Sequence, residues 1–168
     1  MCQQEKVRFC PETKSHFYPT LKKRVDTYFR ENEISRHGDR RMVLKTVVFL
    51  SAYILPFVSL LAYKPSLAFA FPLWLIMGLA VSGIGMNIMH DANHGAYSRN
   101  ASVNQWLGYT LYLVGVDVKN WKFQHNVLHH TYTNITGLDE DIRDRGVVKL
   151  SPHLTPGHLH RWQWLYAF

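Results

Sequence analysis

Two long apolar runs dominate the pattern. Met42 to Ala62 is 21 residues with one charge, Lys45, near its start, and Leu67 to Met89 is 23 residues with none. At about 1.5 Å of rise per residue, each is long enough as a helix to cross a hydrocarbon core about 30 Å thick. Pro56 and Pro72 fall inside the runs, where membrane helices tolerate proline. The linker Tyr63-Lys64-Pro65-Ser66 is short enough to make the pair a helical hairpin, with both outer ends on one side. Ahead of them, Thr20 to Ser35 predicts an amphipathic helix. Leu21, Val25, Tyr28 and Phe29 fall at i, i+4, i+7 and i+8, with Lys22, Lys23, Arg24 and Arg30 around them. Such a helix either packs on the rest of the protein or lies on a membrane surface, and the pattern fits both. Residues 1–19 read as irregular. Trp106 to Val118 is apolar but too short to span, which predicts a re-entrant or interfacial segment. Thr136 to Gly157 reads as loop, broken by Gly137, Gly146, Pro152 and Pro156, and Trp162 to Phe168 begins a further apolar segment.

The expected fold class is therefore an all-α membrane protein, a transmembrane hairpin followed by histidine-bearing helices. The expected organisation is an N-terminal segment (1–41), two spanning helices (42–89) and a histidine-rich region (90–168).

Charge orients this picture. Ten Lys/Arg precede Met42, one (Lys64) lies in the linker, and seven follow Met89. By the positive-inside rule the linker faces outward, while the N-terminus and the histidine-rich region are cytoplasmic. The net charge of +7 does not lie on a recognisable nucleic-acid module, so nucleic-acid binding is not expected. Cys2 and Cys10 make neither a disulfide framework nor a zinc-binding pair. No signal peptide is expected, because the first apolar run comes after forty polar residues.

The chemistry is concentrated in histidines. His90-Asp91-Ala92-Asn93-His94 directly follows the second apolar run, and His125-Asn126-Val127-Leu128-His129-His130 lies within a segment running from Asn120 to Asn134. Histidines at i and i+4 share a helix face, so His90 pairs with His94 and His125 with His129. On an α-helix His130 would be turned about 100° from His129, which suits two metal ions side by side. Neutral imidazoles in this number fit a borderline transition metal such as iron. Asp91, Asp139 and Asp141 are candidate acceptors for the imidazole N–H groups that face away from metal. Without an HExxH sequence, zinc-protease chemistry is disfavoured. His153, His158 and His160 read as loop histidines, and His16 and His37 as surface ones.

At these residues the chain resembles the membrane fatty acid desaturase family. The text that carries the likeness is GMNIMHDANHGAYS (Gly85 to Ser98) and WKFQHNVLHHTYTNITGLDEDI (Trp121 to Ile142). Phe17 to Leu21 and Tyr28-Phe29 also resemble bacterial acyl-CoA or acyl-lipid desaturases of the linoleoyl-CoA desaturase-like kind. The resemblance implies a di-iron centre held by three histidine boxes, with His90 and His94 matching the first and His125, His129 and His130 the second. It implies O2-dependent insertion of a cis double bond into an acyl chain carried on CoA or lipid, in a bacterial inner membrane rather than endoplasmic reticulum. No HPGG haem motif is present, so electrons are expected from a separate donor of ferredoxin or cytochrome b5 type. The third box has no counterpart in these residues, so the fold is expected to be an incomplete desaturase fold, and the 168-residue chain by itself inactive. Trp164 departs from the family, where His is frequent. Three other functions share parts of this pattern: a fatty acid or alkane hydroxylase of the same metal class, a zinc- or copper-handling membrane protein, and a non-catalytic scaffold.

Overall fold

The structure, a computed structural model, describes residue 7, residues 16–143 and residues 146–167. Cys2, Cys10 and most of the expected irregular N-terminal stretch fall outside these. Among the described residues every regular element is helical. The chain forms two compact units, Met1–Arg36 and His37–Phe168.

Among its described residues the first unit holds one helix, α1 (Phe17–Glu31). It begins three residues before the expected Thr20, because Pro19 falls in the first turn, where a missing N–H costs no helical hydrogen bond. It ends before Ser35 because Glu33 turns left-handed (φ 53°). The N–H of Glu33 then bonds Arg30 O and that of Ile34 bonds Phe29 O, closing the last turn.

The second unit is built on the hairpin. α2 (Arg40–Tyr63) starts where the Asp39 carboxylate accepts from the Met42 N–H at 3.0 Å, satisfying one of the free first-turn donors. It stops at Lys64, which adopts a left-handed conformation (φ 44°). α3 (Leu67–Gly83) returns alongside and runs through a π-helical turn, Ile84–Met89, into α4 (His90–Asn93). Arg40–Tyr63 and Leu67–Asn93 are each long and apolar enough to cross a membrane. The second apolar helix thus continues past Met89, and His90 sits in its final turn rather than after it. The two helices cross closely at Gly83, where a β-carbon would overlap the Phe49 ring. The outer ends of the hairpin meet: the Gly38 N–H donates to Tyr97 O at 3.0 Å, and the Thr46 and Tyr97 hydroxyls pair at 2.7 Å.

Gly95 (φ 72°) ends α4, and the chain turns into α5 (Ala101–Gly108), capped by Asn100. A 3-10 segment, Tyr109–Val114, follows directly. The apolar stretch expected between Trp106 and Val118 is therefore an α-to-3-10 transition closed by Gly115 (φ 78°). The Tyr53 hydroxyl donates to Leu113 O at 2.7 Å, tying this segment to α2. α6 (Val118–Lys122), capped by Asp117, enters a second π-helical turn, Phe123–His129, and ends in α7 (His130–Tyr132). Met89, Leu111 and Val118 form a small buried core with Val114 and Trp121 packed on it, directly under the histidines. The remaining described residues are loop with short 3-10 turns at Glu140–Ile142 and His160–Trp162, then α8 (Gln163–Tyr166). Gln163 anchors this end by bonding both the N–H and the C=O of Lys149.

Candidate metal centre

His90 and His94 follow one π-helical turn, on α4 and its C-terminal cap, while His125 and His129 lie within the other and His130 directly after it. In such a turn the bonding is i→i+5, so the residue five positions on takes the place that four positions on holds in an α-helix. His130 is five residues beyond His125. Its ring lies 5.0 Å from that of His125, while His129 stacks on His125 at 5.1 Å. His130 thus stays beside His125, with the ring planes of His129 and His130 72° apart. All five rings gather in one place. His94 lies 4.5 Å from His90, 5.3 Å from His125 and 4.8 Å from His130, centroid to centroid. The Asn126 side chain donates to Asn93 O at 3.3 Å, a direct tie between the two histidine-bearing helices.

Two sets of ligand atoms emerge. One atom each from His90, His94 and His125 lie within 4.8 Å of one another, and so do atoms from His125, His129 and Asp141. His125 is common to both.

The carboxylates occupy the outward side of the imidazoles. His129 Nδ1 lies 2.9 Å from Asp139 Oδ1 and 3.2 Å from Asp141 Oδ2. His125 Nδ1 lies 3.4 Å from Asp141 Oδ2, and His90 Nδ1 lies 3.2 Å from Asp91 Oδ1. Asp139 is only 1% exposed. Its carboxylate also accepts the N–H groups of Asn134 (2.7 Å) and Asp141 (3.0 Å). Burial alone would push this carboxyl up, but the bonds from His129, Asn134 and Asp141 outweigh it and hold it below the usual carboxylate range. Asp139 is thus a fixed anion. Asp91 and Asp141 are far more open, with side chains 41% and 46% exposed.

The imidazoles fit a metal ligand set. His94 is lowered from the ordinary 6.5, first by burial and then by the neighbouring His90, His130 and His125, with Asp91 opposing. His125 is also lowered, first by burial, with Asp141 opposing and His90, His130 and His129 adding to the fall. Both rings are therefore neutral near pH 7, with lone pairs available. His125 Nε2 is buried without a hydrogen-bond partner, a costly arrangement that a bound cation would relieve.

Trp121, four residues ahead of His125, stacks on that ring at 4.5 Å with planes 23° apart, and meets the edges of His90 and His94 at 6.1 Å. It joins the small core to the histidines, and its signal in the sequence was the same i, i+4 spacing. The remaining histidines stand elsewhere. His153 and His158 are exposed in the loop, and His160 bonds the Gly157 N–H and Gly146 O, stapling that loop. His16 is exposed at the start of α1, and His37 is half-buried at the start of the second unit.

A family model described as fatty acid desaturase matches residues 65–168, which include every histidine of the cluster. An sn-1 linoleoyl-lipid 6-desaturase of Synechocystis sp. is 35% identical over the whole of this chain and 46% of its own length. One of Arthrospira platensis is 38% identical over 90% of this chain and 42% of its own. An acyl-lipid (8-3)-desaturase of Physcomitrium patens is 32% identical over 89% of this chain and 32% of its own. The chain thus spans a little under half the length of the first two relatives. No solved structure matches it. With a family model covering well over half of its residues and relatives aligned along nearly all of them, the chain belongs to the fatty acid desaturase family.

Proposed function

We propose that these residues form the N-terminal part of a membrane-embedded desaturase that inserts a cis double bond into an acyl chain with O2. One observation supports this above others: five histidine rings converge at 4.5–5.3 Å, with His125 Nε2 buried and unpaired, in a chain of this family. His90, His94, His125, His129 and His130 would hold two iron ions, together with ligands from sequence beyond these residues. Bound iron would supply the O2-dependent oxidising power that no side chain offers against an unactivated methylene.

The chain's own residues do the orienting. The Nδ1–H of His129 donates to Asp139, which fixes the tautomer and leaves Nε2 free toward the metal; Asp91 does the same for His90, and the Asp141 carboxylate lies 3.4 Å from His125 Nδ1. Trp121 holds the plane of His125. The hairpin places the cluster at the end of two apolar helices, where an acyl chain lying in the bilayer could reach it. The relatives' names carry linoleoyl-lipid and acyl-lipid substrates, so an acyl chain on a lipid is the first substrate to test, and acyl-CoA the second. Electrons would come from a separate ferredoxin or cytochrome b5 type donor. The histidine cluster would face the cytoplasm, and the membrane would be a bacterial inner membrane.

The test is the fatty acid profile of a host expressing this sequence with any adjoining coding sequence, against a His129→Ala copy. A new double bond that disappears with His129→Ala is the expected result. Hydroxylated acyl chains would move the reading to a hydroxylase of the same metal class, and an unchanged profile with bound zinc or copper to a metal-handling protein.

A further inference from the structure

α1 is the element that the metal centre leaves unexplained. On a helical projection at about 100° per residue, Tyr18, Leu21, Val25 and Tyr28 fall within one narrow arc. None of these side chains is buried; Tyr18 is 70% exposed and Tyr28 56%. Lys22 borders one edge of the arc and Arg24 the other, while Lys23, Asp26 and Arg30 occupy the opposite side. Asp26 is engaged by Arg36 at 2.6 Å, which leaves the helix's own four basic residues to dominate its outer charge. An apolar arc with cationic borders is the arrangement in which Lys and Arg stems lie along apolar surface while their charges reach phosphate groups.

We propose that α1 lies in the plane of the membrane, with Tyr18, Leu21, Val25 and Tyr28 in the headgroup–acyl boundary and Lys22 and Arg24 on anionic lipid headgroups. The chain's own length supports a lipid partner over a protein one. Only residues 32–39 separate α1 from Arg40, the first residue of a helix apolar enough to cross a bilayer, at most about 29 Å of extended chain. Any bilayer that α2 enters is therefore within reach of α1. An interfacial helix at this point would also fix the depth at which α2 enters, and with it the level of the histidines at the far end of α3.

The experiment uses the full chain in vesicles of equal parts phosphatidylcholine and phosphatidylglycerol. Cys2→Ser and Cys10→Ser provide the background, and an environment-sensitive fluorophore is attached at Leu21→Cys, Lys23→Cys or Leu79→Cys. Leu79 lies near the middle of the apolar span Leu67–Asn93 and reports whether the hairpin itself is in lipid. The expected result is strong quenching of the labels at 21 and 79 by nitroxide-bearing lipid, and quenching of the label at 23 by aqueous iodide. In the Lys22→Gln/Arg24→Gln variant, or in pure phosphatidylcholine, lipid quenching at 21 should drop severalfold while that at 79 stays unchanged. A label at 21 reached by iodide as readily as the one at 23 overturns the proposal. So does a label at 21 shielded from both quenchers, which would mean α1 packs on protein or on a second copy. Loss of lipid quenching at 79 would sink the bilayer premise and this proposal with it, without touching the metal centre.

Discussion

His129 and Asp139 show how a single pair sets the chemistry of the cluster. Asp139 is buried from solvent, and its two oxygens take one imidazole N–H and two backbone N–H groups. Asp139→Asn keeps the size but removes the charge that makes His129 a stronger donor of its Nε2 lone pair. Metal affinity should fall roughly 10–100-fold, as measured by competition titration with a chelator. Asp91→Asn, at an open site, should cost much less. The lowered His94 and His125 also set a pH window. The unfolded chain takes up protons from about pH 6.5 downward, whereas these two rings resist until lower pH. Stability of the metal-free protein should therefore be full above pH 6.5 and decline below it, and metal retention should persist to a lower pH than free imidazole would allow. Thermal melts and metal analysis across pH 5–8 would check both. The His90–His94 and His125–His129 pairs were legible in the sequence from their i, i+4 spacing, and the rings of each pair lie 4.5 and 5.1 Å apart. The closeness of His130 to His125 was not, because an α-period does not bring residues i and i+5 together. Trp121 was overlooked because an apolar residue beside an apolar stretch reads as core, and here it is both core and support.

Elements were legible where hydrophobic length decides them. Both apolar runs are helices, and the linker expected between them is one residue shorter, because α2 continues through Tyr63. The boundaries that shifted did so for local reasons, Pro19 tolerated in a first turn and Glu33 turning left-handed. The crossing of α2 and α3 depends on Gly83. Gly83→Leu should clash with Phe49 and destabilise the hairpin by about 1–3 kcal/mol. Pairing it with Phe49→Ala should recover part of that loss, so a double-mutant cycle by thermal unfolding in detergent would test the contact itself. Tyr97→Phe removes the hydroxyl that meets Thr46 and should cost about 1 kcal/mol, since Thr46 keeps its bond to Met42 O. What no periodicity revealed is the fold of residues 101–114. There the switch from α-helix to 3-10 turns the apolar side chains of Leu111 and Val114 toward Met89 while Trp106 stays exposed.

At the scale of the whole molecule, α2 and α3 carry apolar side chains that are mostly exposed within the chain, as lipid-facing surfaces are. Membranes washed with alkaline carbonate should retain the protein, and release into the wash would contradict the spanning assignment. Cysteines at Lys64 and Ser98 should label from opposite sides of sealed vesicles, since the hairpin puts the linker at one end and the histidines at the other. The two wide turns, Ile84–Met89 and Phe123–His129, have a further consequence for the gene rather than the fold. Each is a place where the polypeptide carries one residue more than an ordinary helical turn needs. Losing a codon there would let the turn close in the usual way and swing all that follows by roughly 100°. His90 and His94 would then face away from His125 without a histidine being altered. A codon-by-codon deletion scan should find these two windows intolerant of length change while forgiving many substitutions, a signature of phase rather than of composition.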